Sequence, residues 1–362
     1  GIATDAGEYE QAFILRRIVD HMFRASMYDK ALDLMTSDNF FRNRTERLGV
    51  FGATLSSIQE SDFLFRKLDD EGGAEVQTLG GKVVHAASAR ICVVSCYERL
   101  AQHLADAQGH IDSTRAAVGL FSLGQSLLKA GMHNEAFAMF QETVNVCCFV
   151  GGSQEVIFRI MALAMRDIGH ICHRIKGDLA EAIKSYGESL HYSKYVASMQ
   201  GSLQIGTQQS LGDANFELGN YNAALEVYND TLSALKEKHG ANSVQYATML
   251  ERIGEAHRKG GDAERAKEAL TKALAILESV PGKKSSAGIA DIMYHLGLAH
   301  NDIGDSDLAI KTILGAVEMW EAAKKIQGIS QGDEEEANQA AALHDLGILY
   351  RQRGDLEGAL GA

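Results

Sequence analysis

The amino-acid sequence predicts an all-α fold, a solenoid of antiparallel helix pairs preceded by an irregular helical part. Three observations predict it. Two glycines seven or eight residues apart sit in stretches otherwise rich in good helix formers, as in LGDANFELGNYNAALEVYNDTL at 211–232. The same arrangement recurs in register down the chain, and the 362 residues contain a single proline, Pro281. Glycine inside a helix costs up to about 1 kcal/mol relative to alanine. A recurrent pair therefore needs a structural reason.

Residues 1–112 stand outside the register. The stretch from 8 to 68 reads as several short amphipathic helices, and a long helix is predicted at about 82–108. The array follows over 113–362, with about six repeats and the last one incomplete. It reads FSLGQSLLKAGMHNEAFAMF at 121–140, RDIGHICHRIKGDLAEAIKSY at 166–186 and QSLGDANFELGNYNAALEVY at 209–228. It continues as ERIGEAHRKGGDAERAKEAL at 251–270, YHLGLAHNDIGDSDLAIKTI at 294–313 and HDLGILYRQRGDLEGAL at 344–360. The first glycines, Gly124, Gly169, Gly212, Gly254, Gly297 and Gly347, fall 42 to 50 residues apart.

Each copy predicts a helix A, a turn and a helix B. The second glycine (Gly131, Gly177, Gly219, Gly261, Gly304, Gly354) ends helix A in a left-handed conformation, and the Asp or Asn that often follows caps helix B. The first glycine faces helix B and lets an alanine there (Ala136, Ala182, Ala224, Ala266, Ala309, Ala359) approach closely. Such pairs bury their faces only against their neighbours. The longest interval holds an insertion, KKIQGISQGDEEE at 324–336, read as a loop followed by a helix start whose carboxylates suit the helix dipole. The chain stops at Ala362 inside the sixth helix B, so the polypeptide is expected to continue, or its end to be disordered or covered by a partner.

Composition narrows the function. A net charge of −13 disfavours nucleic acid or an anionic membrane as the main partner, because both need a basic face. No apolar run is long enough to cross a bilayer, so direct membrane insertion is not expected. The five cysteines, Cys92, Cys96, Cys147, Cys148 and Cys172, read as reduced core residues and favour a reducing compartment such as the cytoplasm. The chain begins at Gly1 without methionine, which leaves an organelle open.

The small, glycine, aromatic and alanine positions of the copies resemble those of tetratricopeptide repeats. The period near 42 and linkers such as KEKHGANSVQYATMLERIG at 236–254 are most similar to the kinesin light chain type. The resemblance covers about 113–362 and implies a right-handed superhelical solenoid that binds peptides or proteins. A second resemblance lies in HMFRASMYDKALDLMTSDNFF at 21–41, which is similar to the helical segment following the nucleotide-binding core of NACHT and NB-ARC NTPases. It implies that the chain is the C-terminal sensor or scaffold arm of a larger ATPase; the alternative is a diverged helical cap for the array.

Chemistry finds no foothold in the motifs. A phosphate loop needs G-x-x-x-x-G-K-[ST]; GGAEVQTLGGKVV at 72–84 carries Val83 after its lysine, and VPGKKSS at 280–286 lacks the earlier glycine. His170, Cys172 and His173 lie on one helical stretch, yet no second ligand pair accompanies them, and Cys172 matches His257, His300 and Tyr350 of later copies. No HExxH or CxxC occurs. The sequence predicts no enzyme, no cofactor and no metal.

What remains is the concave face, which in the resembled family is lined mainly by helix A. The resemblance implies groove positions at Arg166, His170 and His173, then Gln209, Asp213 and Phe216, then Glu251, Glu255 and Arg258. They continue as Tyr294, Leu298 and Asn301, then His344, Ile348 and Arg351. Where chaperone-tail receptors of that family hold an asparagine, one residue after the first glycine, this chain has Gln125, His170, Asp213, Glu255, Leu298 and Ile348. The carboxylate clamp is absent. The paired asparagines of kinesin light chains are likewise replaced by Phe121-Ser122, Gln209-Ser210, Glu251-Arg252 and Tyr294-His295. The expected function is a non-catalytic scaffold or adaptor, a subunit of a larger assembly that binds a peptide, a helix or a neighbouring subunit. The alternative is the sensor arm of an NTPase whose core lies upstream of residue 1.

Overall fold

The computed structural model describes residues 113–129, 131–148, 154–196, 201–280, 287–327 and 333–361, two short strands, and scattered residues between 18 and 43. The strands β1 (Glu75–Gln77) and β2 (Val83–His85) pair antiparallel, with Val76 opposite Val84. This corrects the helix expected from residue 82: Val83 and Val84 are β-branched and favour the pleated pairing. The remainder of that expected helix, the short helices expected over 8–68 and Cys92 and Cys96 lie outside the described residues, apart from those scattered positions.

The array is all α. Its helices are α1 (Ser113–Lys129), α2 (His133–Cys148), α3 (Gln154–Ile171), α4 (Leu179–Ser193), α5 (Ser202–Glu217) and α6 (Tyr221–His239). They are followed by α7 (Val244–Lys259), α8 (Ala263–Ser279), α9 (Ala287–Ile303), α10 (Ser306–Gln327), α11 (Asp333–Arg353) and α12 (Leu356–Gly361). Among the described residues no helix is long and apolar enough to cross a membrane.

The turns follow the glycine pattern. All six second glycines have positive φ, from 67° at Gly177 to 97° at Gly304. At Gly261 the reversal is fully closed: its N–H donates to Arg258 O and that of Asp262 to His257 O at 2.9 Å, so two terminal carbonyls of α7 find partners. The Asp262 carboxylate then accepts from Arg265 N–H at 3.1 Å and caps α8; Asp178, Asp305 and Asp355 do the same for α4, α10 and α12. Asn220 departs from this, because its side chain makes no capping bond to α6.

Two compact units divide the chain: Gly1–Gly177 with His191–Ala197, and Asp178–Leu190 with Ser198–Ala362. In the first, Ala117 of α1, Cys147 of α2 and Ile157, Ile160 and Met161 of α3 form the core, and Phe158 stacks on Tyr192. In the second, consecutive helices from α5 to α12 pack on one another, and helix A of one pair also touches helix A of the next, α7 with α9 and α9 with α11. Trp320 of α10 is fully buried among Tyr294, Ile313, Ala342 and Leu346. Burial of each such large side chain contributes about 1.5–3 kcal/mol.

The first glycines are sites of contact, where the alanine backbone approaches and a larger neighbour joins it. A Cβ built at Gly254 lies 2.6 Å from Leu270 Cγ and 3.3 Å from Ala266 O. The same geometry repeats at Gly124 with Phe140, Gly212 with Tyr228 and Gly297 with Ile313. The nearer neighbour is thus the large residue four after the alanine; the alanine brings the helix B backbone close enough for that side chain to cover the glycine. Two buried hydroxyls are satisfied inside their own helices: those of Thr143 and Thr231 donate to carbonyls four residues earlier at 2.7 Å.

The cysteine expectation needs one amendment. Cys147 and Cys172 are buried, whereas Cys148 is exposed because adjacent helical residues point about 100° apart.

Two substitutions separate contact from helix propensity. Gly254→Ala is expected to destabilise the protein by about 1–3 kcal/mol through overpacking. Gly206→Ala, where no atom lies within 4 Å of the added methyl, should stabilise it by up to about 1 kcal/mol. Urea unfolding of the two variants beside the wild type measures both signs.

Candidate functional site

Chemistry concentrates on the A helices. In the second unit, Gln209, Asp213 and Phe216 lie on α5, Glu251, Glu255 and Arg258 on α7, Leu298 and Asn301 on α9, and Ile348 on α11, all half-buried. His344 and Arg351 of α11 are exposed, and Tyr294 of α9 is 8% exposed. Half-burial at successive repeats gives a surface whose side chains are held but still open to solvent.

A ladder of polar contacts joins these helices, and several of its rungs use a position two residues before the first glycine that the expected groove set leaves out. Asp213 of α5 accepts from the Tyr228 hydroxyl at 2.7 Å and pairs with Arg252 of α7. His295 Nδ1 of α9 lies 3.3 Å from Glu251 Oε1 of α7. The Tyr294 hydroxyl donates to Asp345 of α11 at 2.8 Å, and Arg258 pairs with Asp302 at 3.3 Å. Polar residues recurring at that position, Asp167, Arg252, His295 and Asp345, were the available signal.

The first unit repeats the rung. Gln125 of α1 donates to Asp167 Oδ2 of α3 at 2.6 Å, and Arg166 holds the other oxygen through two N–H bonds at 2.6 and 2.8 Å. This carboxylate is buried and satisfied on both sides. His170 is half-buried, while His173 sits beneath the surface at 5% exposure. The cause lies in the spacing: Gly169 and Gly177 are eight apart where the other pairs are seven, and the extra residue is absorbed as a π turn over Cys172–Lys176. Burial, then the nearby Arg166, lowers the His170 pKa below the ordinary imidazole value.

Electrostatics single out the joint of α7, α9 and α11. Asp291 is pushed up to about 6 by burial and by the charge of Glu251, against the Asn338 amide that donates to it at 3.2 Å. Burial opposes protonation of His295, but bonding to Glu251 and the charges of Glu255 and Glu251 outweigh it and raise its pKa. Burial, with the adjacent Asp213, raises the Tyr228 pKa far above the phenol range, so this hydroxyl stays a donor. Among the described residues no group of three or more His, Cys, Asp or Glu side chains is arranged to hold a metal ion.

Residues 204–279 match the family model described as tetratricopeptide repeat, which spans helices α5 to α8. No curated protein matches the chain in sequence. Among solved structures it is similar to BtubC (BKLC) from P. vanneervenii, at 16% identity and a TM-score of 0.49, covering 78% of this chain and 94% of that one. It is also similar to the Podosopora anserina protein of "kinesin light chain nearly identical TPR-like repeats", at 14% identity and a TM-score of 0.48, covering 59% and 98%. The apo form of RapI is similar at 13% identity and a TM-score of 0.49, covering 68% and 94%.

The Asp213 rung can be measured. Tyr228→Phe should cost about 1 kcal/mol for the lost buried hydrogen bond. A double-mutant cycle of Asp213→Ala with Arg252→Ala should give a coupling of only about 0.5–1 kcal/mol, because the Arg252 side chain is 43% exposed and screened. Chemical denaturation of the variants supplies both values.

Proposed function

From a chain that carries tetratricopeptide repeats, we propose a non-catalytic scaffold that binds an extended peptide, a helix or a neighbouring subunit along its A helices, within a larger assembly. The repeat fold supports a role in protein–protein interaction. The observation that carries the reading is the row of half-buried residues on α5, α7, α9 and α11, helices that the rungs tie to one another. Side chains already held by Asp213, Glu251 and Asp345 lose little freedom when a partner docks, so binding costs less conformational entropy.

The proposed surface is mixed rather than uniform. Phe216, Leu298 and Ile348 offer apolar contacts, while Glu255, Asn301 and Arg351 offer polar ones. A partner reads such a surface through alternating apolar and charged side chains, as extended peptides and amphipathic helices present them. The array is proposed to begin at residue 113, with residues 1–112 as its N-terminal extension. The thiols of Cys147 and Cys148 support a reducing compartment.

Site-specific photo-crosslinking in the native source tests the proposal. A crosslinker at Glu255 or at Leu298 should capture the same protein, and one at Glu268, exposed on α8, should not. Capture from Glu268 alone would move the interface to the B helices and overturn this assignment. Peptides of a nucleotide-binding core found upstream of residue 1 in the same polypeptide would instead make the chain a sensor arm.

A further inference from the structure

The rungs differ in chemistry, and one of them is built from groups that exchange protons near neutral pH. Asp213 with Arg252, and Arg258 with Asp302, pair an acid with a guanidinium that stays charged at every accessible pH. The cluster around His295 and Asp291, in the same joint of α7, α9 and α11 that the Arg258–Asp302 pair spans, is built differently. There Glu251 and Glu255 approach from α7, Asp291 and His295 from α9, and Asn338 from α11, with the Trp320 indole of α10 beside Asp291. The Arg258 guanidinium also acts on His295, and it is already engaged with Asp302. The side chains of Glu251 and His295 are only 18% and 19% exposed, so water screens their charges weakly.

We propose that this cluster is a proton-responsive joint between successive repeats, in which proton uptake by His295 and Asp291 fastens α9 to α7 and α11, and proton loss loosens them. With His295 neutral and Asp291 ionised, the carboxylates of Glu251, Glu255 and Asp291 share a half-buried space in which negative charge is in excess. A proton on each of the two α9 residues cuts that excess from three negative charges to one, and turns the contact of His295 with Glu251 into an ion pair. The Asn338 amide can keep its bond to Asp291 in either state, since a protonated carboxyl retains an accepting oxygen.

The sign follows from the two pKa directions. Both are raised in the folded protein, so the stability each group contributes is fully present below its ordinary value and is lost as pH rises through the folded one. For Asp291 that window runs from the ordinary 3.8 to about 6. For His295 it begins at the ordinary 6.5 and extends upward. The two losses act in the same direction, so the joint is tightest in mild acid and weakens through neutrality into the alkaline range.

Native-state hydrogen exchange on the full chain between pH 4 and 8, corrected for intrinsic rates, reads the joint directly. The opening constants of α9 and α11 amides are expected to rise by about tenfold or more across that range, with the Asp291 contribution limited to about a hundredfold. Asp291→Asn should flatten the part of the rise below pH 6, and Glu251→Gln should reduce the whole rise, with circular dichroism confirming that each variant is folded. The proposal is overturned by opening constants in the wild type that stay level or fall as pH rises. It is equally overturned by a rise that both folded variants retain in full.

Discussion

The structure depends on one contact, repeated: a large side chain of helix B laid over a glycine of helix A. Phe140 covers Gly124, Tyr228 covers Gly212, Leu270 covers Gly254 and Ile313 covers Gly297. A β-carbon at any of these glycines would occupy the space of the covering side chain, so the distance between the helices of a pair is set by what the glycine lacks. That distance decides where the next helix A lies. It therefore also decides which residues face one another across repeats, which is how a packing constraint reaches the candidate binding face.

Much of this was legible in the sequence because it is local or periodic. The left-handed turn glycines and the aspartates after them act within one turn, so Gly261 and Asp262 could be read directly as an end and a start. The close crossing was legible as a glycine in register with an alanine of helix B, whose carbonyl does come close at Gly254 and Gly297; the bulky residue four beyond, which covers the glycine, was not. The strand at Val83–His85 was missed because three residues of pairing depend on a partner strand, which helical periodicity cannot register. The π turn had a signal, one extra residue between Gly169 and Gly177, whose structural cost no pattern rule assigns.

The face itself was legible only in outline. The resemblance placed Asp213, Glu251 and Tyr294 on helix A, but their partners Arg252, His295 and Asp345 come from the neighbouring helix, at sequence separations of 39, 44 and 51. Such pairs depend on the superposition of repeats, which a single sequence does not display. Their consequence is functional as well as structural. Side chains that fasten repeat to repeat are the same ones that line the proposed binding surface, so the surface is stiff where rungs are permanently charged and responsive where they titrate.

If stacking through these contacts is what holds the array together, stability must grow with the number of stacked pairs. Urea unfolding of residues 198–279, holding α5 to α8, compared with residues 198–327, which add α9 and α10, measures this directly. The account predicts a higher midpoint and a steeper transition for the longer fragment, because α9 covers the face of α8 and the buried residues Ile289, Ile292 and Leu296 join its core. Equal midpoints would mean that each pair is stable on its own, and would contradict the dependence on neighbours from which the rest of the account proceeds.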